Sequence, residues 1–234
     1  MRSFFLSPLD IPAIAQVVRT KTRTEHRERE SGPAETGIYL DGVHEVTEFV
    51  EDDARQFLEG QILAYGENLD AIYQTSRARR CPDEIVIPRA DEQIPVVGEF
   101  VAEFTRFVEA IFPLPLKRSI YQIRYFQRGY QGHPEHVDYA PGYTIRKTNE
   151  TPRCLTAISF SLPISWNGGR APEFRLVNTD GREIHQTRPG SLVLFGPRIR
   201  HSHPATPSLE QSYLWLISQS FYEGVVTEAL ENAT

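Results

Sequence analysis

The spacing of apolar residues changes once along this chain, from the period of a helix to the period of a strand. Before Pro113, apolar side chains recur at steps of three and four residues, which places each set on one face of a helix. The first stretch contains Val46, Phe49, Val50, Ala54, Phe57, Leu58, Ile62 and Leu63, and the second, from Ile94 to Phe112, contains Val96, Val97, Phe100, Val101, Phe104, Phe107, Val108 and Ile111. From Ser119 onward the period is two, in short runs separated by Gly, Pro, Asn and Asp. Helices that pack on a β-structure are therefore expected.

The short strands predict one domain of the α+β class, mainly β. The expected core is a double-stranded β-helix, a jelly roll of the cupin type, with the N-terminal helices packed on one outer face. A chain of 234 residues with 40% apolar and 11% aromatic residues can form one domain with a buried core. We divide it into an N-terminal arm and supporting helices (1–117), a jelly-roll core (118–220) and a C-terminal helix or tail (221–234). The arm is expected to be irregular as far as residue 43.

Charge and composition argue against several classes of partner. The formal net charge of −6 disfavours a general affinity for nucleic acid or for an anionic membrane. The two cysteines, Cys81 and Cys154, lack the spacing of a zinc site, which favours free thiols in a reducing compartment. No secretory or membrane-spanning segment is recognisable. We therefore expect a cytoplasmic protein, a monomer or homodimer, that acts on a small molecule.

Two histidines and one aspartate form a candidate metal-binding set. His136 and Asp138 are separated by one residue, so that on a strand both side chains can point into a barrel. His201 follows several short apolar runs later and can come from a distant strand. Two imidazoles and one carboxylate are the facial triad of non-haem Fe(II) oxygenases, which leaves coordination positions open for an organic cosubstrate and O2.

The sequence leaves alternatives for these ligands. His133 and Glu135 fit the same template three residues earlier, and His203 competes with His201 for the third position. His136 and Asp138 could also be a solvent-facing pair in a loop.

The order of motifs along the second half of the chain provides a further clue. It contains a β-branched and aromatic strand at 119–126, a glycine turn, the His136-x-Asp138 pair, a strand at 153–162, the Trp166-Asn-Gly168-Gly169 turn, the runs 173–177 and 189–195, and His201. This order resembles the 2-oxoglutarate- and Fe(II)-dependent dioxygenase superfamily, in particular its prolyl-hydroxylase branch and the small bacterial amino-acid hydroxylases. The resemblance covers roughly residues 118–220 and does not extend into the N-terminal half.

The resemblance implies an oxygenase that uses Fe(II), 2-oxoglutarate and O2. His136, Asp138 and His201 would hold the iron, and no other catalytic residue is implied. The cosubstrate would be converted to succinate and CO2 while a C–H bond of the substrate is oxidised. Because Asp138 occupies the position that related halogenases leave open for chloride, hydroxylation, desaturation or ring formation is favoured over halogenation.

The expected cosubstrate site departs from the family in one respect. Members carry a basic residue on the last core strand, shortly after the distal histidine, that pairs with the remote carboxylate of 2-oxoglutarate. Gln211 or Ser212 stands in that place here. The cosubstrate contacts implied by the resemblance are Tyr125, Thr156, Gln211 and Tyr213, and the candidates to supply the missing charge are Arg124, Arg146, Lys147, Arg153, Arg198 and Arg200. Because strand neighbours face opposite ways, Arg124 and Tyr125 are not both expected to face inward.

The loop after the metal-binding pair is expected to rim the mouth of the barrel. Its Tyr139, Tyr143 and Arg146 would suit a small acidic or amino-acid-like substrate. We therefore expect a free amino acid or a natural-product intermediate rather than a protein side chain. Two other functions stay open: a cupin-type metal oxygenase or isomerase that does not use 2-oxoglutarate, and a non-catalytic jelly-roll binding protein.

Overall fold

Helices and strands follow one another as the change of period predicts. The computed structural model describes residues 4–27, 35–65, 84–114, 116, 118–126, 129–138, 155–165, 173–186, 188–206 and 213–222. The helices are α1 (Ile11–Lys21), α2 (Asp52–Ala64), α3 (Ala90–Gln93) and α4 (Pro95–Ile111). The strands are β1 (Thr22–Arg27), β2 (Glu35–Leu40), β3 (Val43–Val46), β4 (Glu84–Pro88), β5 (Arg118–Phe126), β6 (His133–His136), β7 (Leu155–Pro163), β8 (Phe174–Val177), β9 (Glu183–Gln186), β10 (Leu192–Phe195), β11 (Arg200–His203) and β12 (Tyr213–Tyr222). Within these ranges no helix is both long and apolar enough to cross a membrane.

The ends of the helices follow from local chemistry. Asp10 caps α1, since its Oδ1 accepts a hydrogen bond from the backbone N–H of Ala13 at 3.0 Å. Pro95 begins α4. Proline lacks a backbone N–H, which costs nothing at this position because the first N–H groups of a helix have no partner within the helix. The helix ends at Ile111, and the backbone of the next residue, Phe112, is extended. Pro113 explains this end, because the ring of a proline disfavours the helical conformation of the residue before it.

Two sheets face each other and form the predicted jelly roll. The larger sheet has the order β3-β10-β7-β12-β5-β4, and the smaller has the order β6-β11-β8-β9. Every strand pairing between these elements is antiparallel. The strands β1 and β2 form a separate antiparallel pair. The prediction of an α+β fold, mainly β, with a double-stranded β-helix core is confirmed.

The larger sheet separates two apolar clusters. One face packs against the helices, where Phe104 of α4 contacts the rings of Phe49, Phe100, Tyr121 and Phe160. The other face looks into the barrel. Its residues pack with side chains of the smaller sheet in a second cluster: Val43, Phe126, Tyr130, Phe174, Leu176, Val193, Phe195, Ile199, Tyr213 and Trp215. Alternation along each strand of the larger sheet therefore assigns every second residue to the barrel interior.

The N-terminal part contains more regular structure than the sequence indicated. The segment expected to be irregular up to residue 43 contains α1 and the β1–β2 pair, so that expectation was wrong. Val46 lies in β3 instead of the first predicted helix, which starts only at Asp52. Both edge strands of the larger sheet, β3 and β4, come from this part of the chain. They are four and five residues long, too short to produce a clear alternating pattern.

Candidate metal centre

Three side chains meet where two strands of the smaller sheet run side by side. His136 on β6 and His201 on β11 are direct partners in the antiparallel register, and Asp138 follows β6 by two residues. One ligand atom from each residue lies within 4.8 Å of the other two. The Nε2 atom of His201 is 3.6 Å from Oδ1 of Asp138. The structure thus brings together the three residues that the sequence suggested as a metal-binding set.

Backbone carbonyl groups fix the tautomers of both histidines. The Nδ1 atom of His136 is 2.9 Å from the carbonyl oxygen of Pro134, and Nδ1 of His201 is 2.9 Å from that of Ile199. Since a carbonyl oxygen only accepts, each Nδ1 must carry the proton and donate it. The lone pair is therefore on Nε2 of each ring, as a metal ligand requires.

Ser159 orients the carboxylate. Its hydroxyl on β7 donates a hydrogen bond to Oδ2 of Asp138 at 2.7 Å, which leaves Oδ1 toward His201. Ser159 is fully buried. No motif of the sequence singled out Ser159, although a small polar side chain within the apolar run of β7 was a usable signal. A partner of this kind holds a ligating carboxylate in one orientation.

Burial favours the neutral form of His201. It lowers the pKa of this imidazole, an effect that the Asp138 charge opposes and that His136 reinforces. A neutral ring with a free Nε2 is the form that binds a metal cation.

The other candidate ligands have different surroundings. His203 is 3% exposed, and its Nδ1 donates to the carbonyl oxygen of Glu173 at 3.1 Å. Its ring packs against Phe174 and Trp215, outside the group of three ligand atoms. Glu135 accepts hydrogen bonds from Arg200 of β11 and from Arg175 of β8. The geometry therefore favours His136, Asp138 and His201 as the metal ligands. It disfavours the two alternatives, His203 in place of His201 and the pair His133 and Glu135 in place of His136 and Asp138.

A cavity of about 160 Å³ opens beside the three residues. Both sheets contribute to its wall. The lining residues are His133, His136, Asp138, Phe174, His201 and His203 on one side, and Gln122, Arg124, Ser159, Phe195 and Ile217 on the other. The rings of Phe174 and Phe195 lie 5.6 and 4.9 Å from that of His201, so the metal-binding set has an apolar flank.

The expected cosubstrate contacts divide between the two faces of the larger sheet. Arg124 lines the cavity, whereas Tyr125 packs against the helix-covered cluster on the opposite face. Tyr125 is therefore not a cavity residue, because adjacent residues of a strand point to opposite faces. Tyr213 is buried in the barrel cluster but does not line the cavity, and burial raises the pKa of its phenol.

Further candidates lie outside the cavity or outside the described residues. Arg198 stacks on the ring of Tyr39 at 4.7 Å, and Arg200 is exposed beside Glu135. Thr156 is on β7, but its side chain is not among those described. The remaining predicted contacts lie outside the described residues: Tyr139, Tyr143, Arg146, Lys147, Arg153, Gln211 and Ser212.

The donor set fits ferrous iron. Two neutral imidazoles and one carboxylate on one side of an ion leave room for exchangeable ligands, and this combination is characteristic of non-haem Fe(II) sites. His136, Asp138 and His201 would hold the ion, and Ser159 would support the carboxylate.

Comparison with known proteins identifies the fold. No protein-family profile and no curated protein matches the sequence. A prolyl-4-hydroxylase from Pseudomonas putida is similar in structure at 14% identity, with a TM-score of 0.57 over 92% of this chain and 100% of the other. A prolyl hydroxylase from Trichoplax adhaerens, in complex with a hypoxia inducible factor peptide fragment, is similar at 11% identity, with a TM-score of 0.57 over 77% of this chain and 84% of the other.

A third similar structure has a different activity. The non-haem, α-ketoglutarate-dependent carbocyclase SnoK from nogalamycin biosynthesis matches at 12% identity, with a TM-score of 0.56 over 83% of this chain and 87% of the other. At such identities a structural match establishes the fold. The chain has the double-stranded β-helix fold of the 2-oxoglutarate- and Fe(II)-dependent oxygenases.

Proposed function

We propose that this protein is a non-haem Fe(II)- and 2-oxoglutarate-dependent oxygenase that oxidises a C–H bond of a small molecule. The observation that carries the proposal is the group formed by His136, Asp138 and His201, with both Nε2 atoms available, beside a cavity inside the barrel. The cofactor set is Fe(II) with 2-oxoglutarate and O2 as cosubstrates. The fold shared with SnoK and the prolyl hydroxylases supports this assignment.

The residues of this chain would bind and orient the reactants. Bound iron, with 2-oxoglutarate and O2, would supply the oxidising chemistry, in which the oxoacid becomes succinate and CO2. His136, Asp138 and His201 would hold the iron in the wall of the cavity. Phe174 and Phe195 would exclude water from the flank of the site. The protein thus contributes placement and exclusion of water to chemistry that belongs to the cofactor.

The proposed substrate is an amino acid or a natural-product intermediate. The cavity of about 160 Å³ suits a small reactive group, and the part of the chain described here contains no separate peptide-binding module. Tyr139, Tyr143 and Arg146 would contact the substrate from the mouth of the barrel. SnoK acts as a carbocyclase and the hydroxylases have other substrates, so hydroxylation and ring formation are both compatible with this fold.

One observation favours a second candidate, a cupin-type metal oxygenase or isomerase that does not use 2-oxoglutarate. On β12, the described residue that lines the cavity is Ile217, which is apolar. Its inward neighbour Trp215 donates its indole N–H to Ser161. The last core strand therefore presents no cation to the cavity along its described length, and an oxoacid with two carboxylates would need another anchor.

An anaerobic titration separates these functions. Apoprotein is loaded with Fe(II) and then titrated with 2-oxoglutarate, while the visible metal-to-ligand charge-transfer band of the chelated oxoacid is recorded. We expect a saturable band that is lost in Asp138→Ala and His201→Ala. His185→Ala is the matched control, because His185 is half-exposed on another strand of the same sheet and should leave the band unchanged. Iron binding without a band would support the second candidate, and an absence of iron binding would contradict both.

A further inference from the structure

The inner face of β5 supplies the positive charge of the cavity. Gln122 and Arg124 line the cavity, while Ile123 between them packs on the helix side of the sheet. In the antiparallel register, Arg124 lies opposite Trp215 and Gln122 lies opposite Ile217 of β12. Arg124 is thus on β5, next to β12, whose residues at the paired positions, Trp215 and Ile217, have apolar side chains. Among the described residues that line the cavity, its guanidinium is the only group that is positively charged at every physiological pH.

His203 gives a second, independent sign of a polar ligand in the cavity. Its Nδ1 donates to Glu173, so that Nε2 is an acceptor. This Nε2 atom is buried and has no hydrogen-bond partner among the described residues. Buried acceptors are normally satisfied, which indicates that a ligand or a ligand-bound water donates here. Arg124 and His203 both line this one cavity.

The chemistry of the two groups selects the kind of ligand end. A guanidinium in a partly buried site is favourable for a carboxylate, which it can bind through two parallel N–H donors. An apolar ligand end would offer the guanidinium no hydrogen bond. A carboxylate only accepts, so a water molecule that donates one proton to the carboxylate and the other to Nε2 of His203 would satisfy both acceptors. The metal-binding set and Arg124 line one cavity, so a single molecule with two anionic ends could contact both.

We propose that Arg124 on β5 binds the carboxylate of 2-oxoglutarate that is remote from the metal, in place of a cation on the last core strand. This inference rests on the proposed function and assigns the cosubstrate anchor to a different strand of the sheet. With Arg124 as the anchor, the protein could bind 2-oxoglutarate although β12 presents no cation to the cavity along its described length. Arg198, which stacks on Tyr39 outside the cavity, has no part in this binding.

The test compares two oxoacids that differ at one end. 2-Oxopentanoate has the carbon chain of 2-oxoglutarate with a methyl group in place of the remote carboxylate. Dissociation constants are measured from the charge-transfer band of anaerobic Fe(II)-loaded protein, which requires no turnover. We expect Arg124→Met to weaken 2-oxoglutarate binding about 30-fold or more, since one partner of a charged pair is removed. Binding of 2-oxopentanoate should stay within about threefold, because the common end of the two ligands contacts the metal.

Further variants control for damage to the fold. Arg124→Lys keeps the charge but loses the two-pronged geometry, and we expect an intermediate loss of about tenfold for 2-oxoglutarate alone. This variant carries the test if Arg124→Met does not fold. Arg198→Met is the matched control and should bind both oxoacids as the wild type does.

The outcomes distinguish this inference from the proposed function. If wild-type protein binds 2-oxoglutarate and Arg124→Met binds it equally well, the anchor is elsewhere and the inference is wrong. Equal weakening of both oxoacids would also overturn it, because the loss would then not depend on the remote carboxylate. No band with wild-type protein and either oxoacid would overturn the proposed function and, with it, the assignment of Arg124.

Discussion

At the scale of single residues, the candidate centre depends on partners that are not ligands. Two carbonyl oxygens fix the rings of His136 and His201, and the Ser159 hydroxyl holds the carboxylate of Asp138. The carbonyl groups belong to the backbone, so side-chain substitution cannot remove them. Ser159 is the one support of the three that can be tested by mutation.

We predict that Ser159→Ala weakens metal binding about 10- to 100-fold, because Asp138 loses the hydrogen bond that orients it. Mn(II) affinity of the apoprotein, measured by electron paramagnetic resonance, is the readout. Ser218→Ala is a matched control, since Ser218 is a buried serine on the adjacent strand β12, pairs with Phe160, and its Oγ has no hydrogen-bond partner among the described residues. A similar change in both variants, or none in Ser159→Ala, would contradict an orienting role.

At the scale of elements, α4 provides the layer that supports the outer face of the larger sheet. Eight of its side chains are buried, and Phe104 contacts β5 and β7 through Tyr121 and Phe160. The metal-binding side of that sheet can carry polar residues such as Ser159 and Arg124 because the opposite side is covered by this apolar layer. Stability and function are therefore carried by opposite faces of the same strands.

We expect Phe104→Ala to lower the free energy of unfolding by about 3–5 kcal/mol, since removal of a fully buried ring loses apolar contacts and leaves a cavity. Urea denaturation followed by circular dichroism measures the change. Phe57→Ala is the control, because its ring is 45% exposed and its loss should cost about 1 kcal/mol or less. Comparable losses in the two variants would show that the α4 layer does not dominate stability.

At the scale of the whole molecule, metal binding would link distant parts of the chain. His136 and Asp138 lie at the end of β6, whereas His201 is on β11, and residues 139–200 separate them. An unfolded chain does not hold these side chains together, so a metal ion would bind the folded state preferentially.

We predict that Mn(II), a substitute that resists oxidation, stabilises the apoprotein against heat. At about 100 times the dissociation constant, the gain is about 2.7 kcal/mol, which raises Tm by about 5–10 °C for a chain of this size. Differential scanning fluorimetry measures the shift, and a chelator should reverse it. The shift should be absent in Asp138→Ala and unchanged in His185→Ala. A shift that persists in Asp138→Ala would mean that the ion binds elsewhere.

The sequence by itself determined the helical type of α2 and α4, the strand type of the second half of the chain and the local part of the candidate centre. The period of apolar residues can be read from a short segment of sequence without knowledge of the rest of the chain. The same is true of the two-residue separation that places His136 and Asp138 on one side of a strand. The parity of a strand likewise indicated that Arg124 and Tyr125 could not both face inward, because neighbouring side chains alternate between the two faces.

Only the tertiary structure decided between the paired alternatives that the sequence left open. It brought Ser159 to Asp138, directed Arg124 inward and Tyr125 outward, and separated His203 from the group that contains His201. The short strands β3 and β4 also became visible only through their pairing with the core sheet. These outcomes depend on strand register and on competition for burial between segments far apart in sequence, which no local pattern of residues specifies.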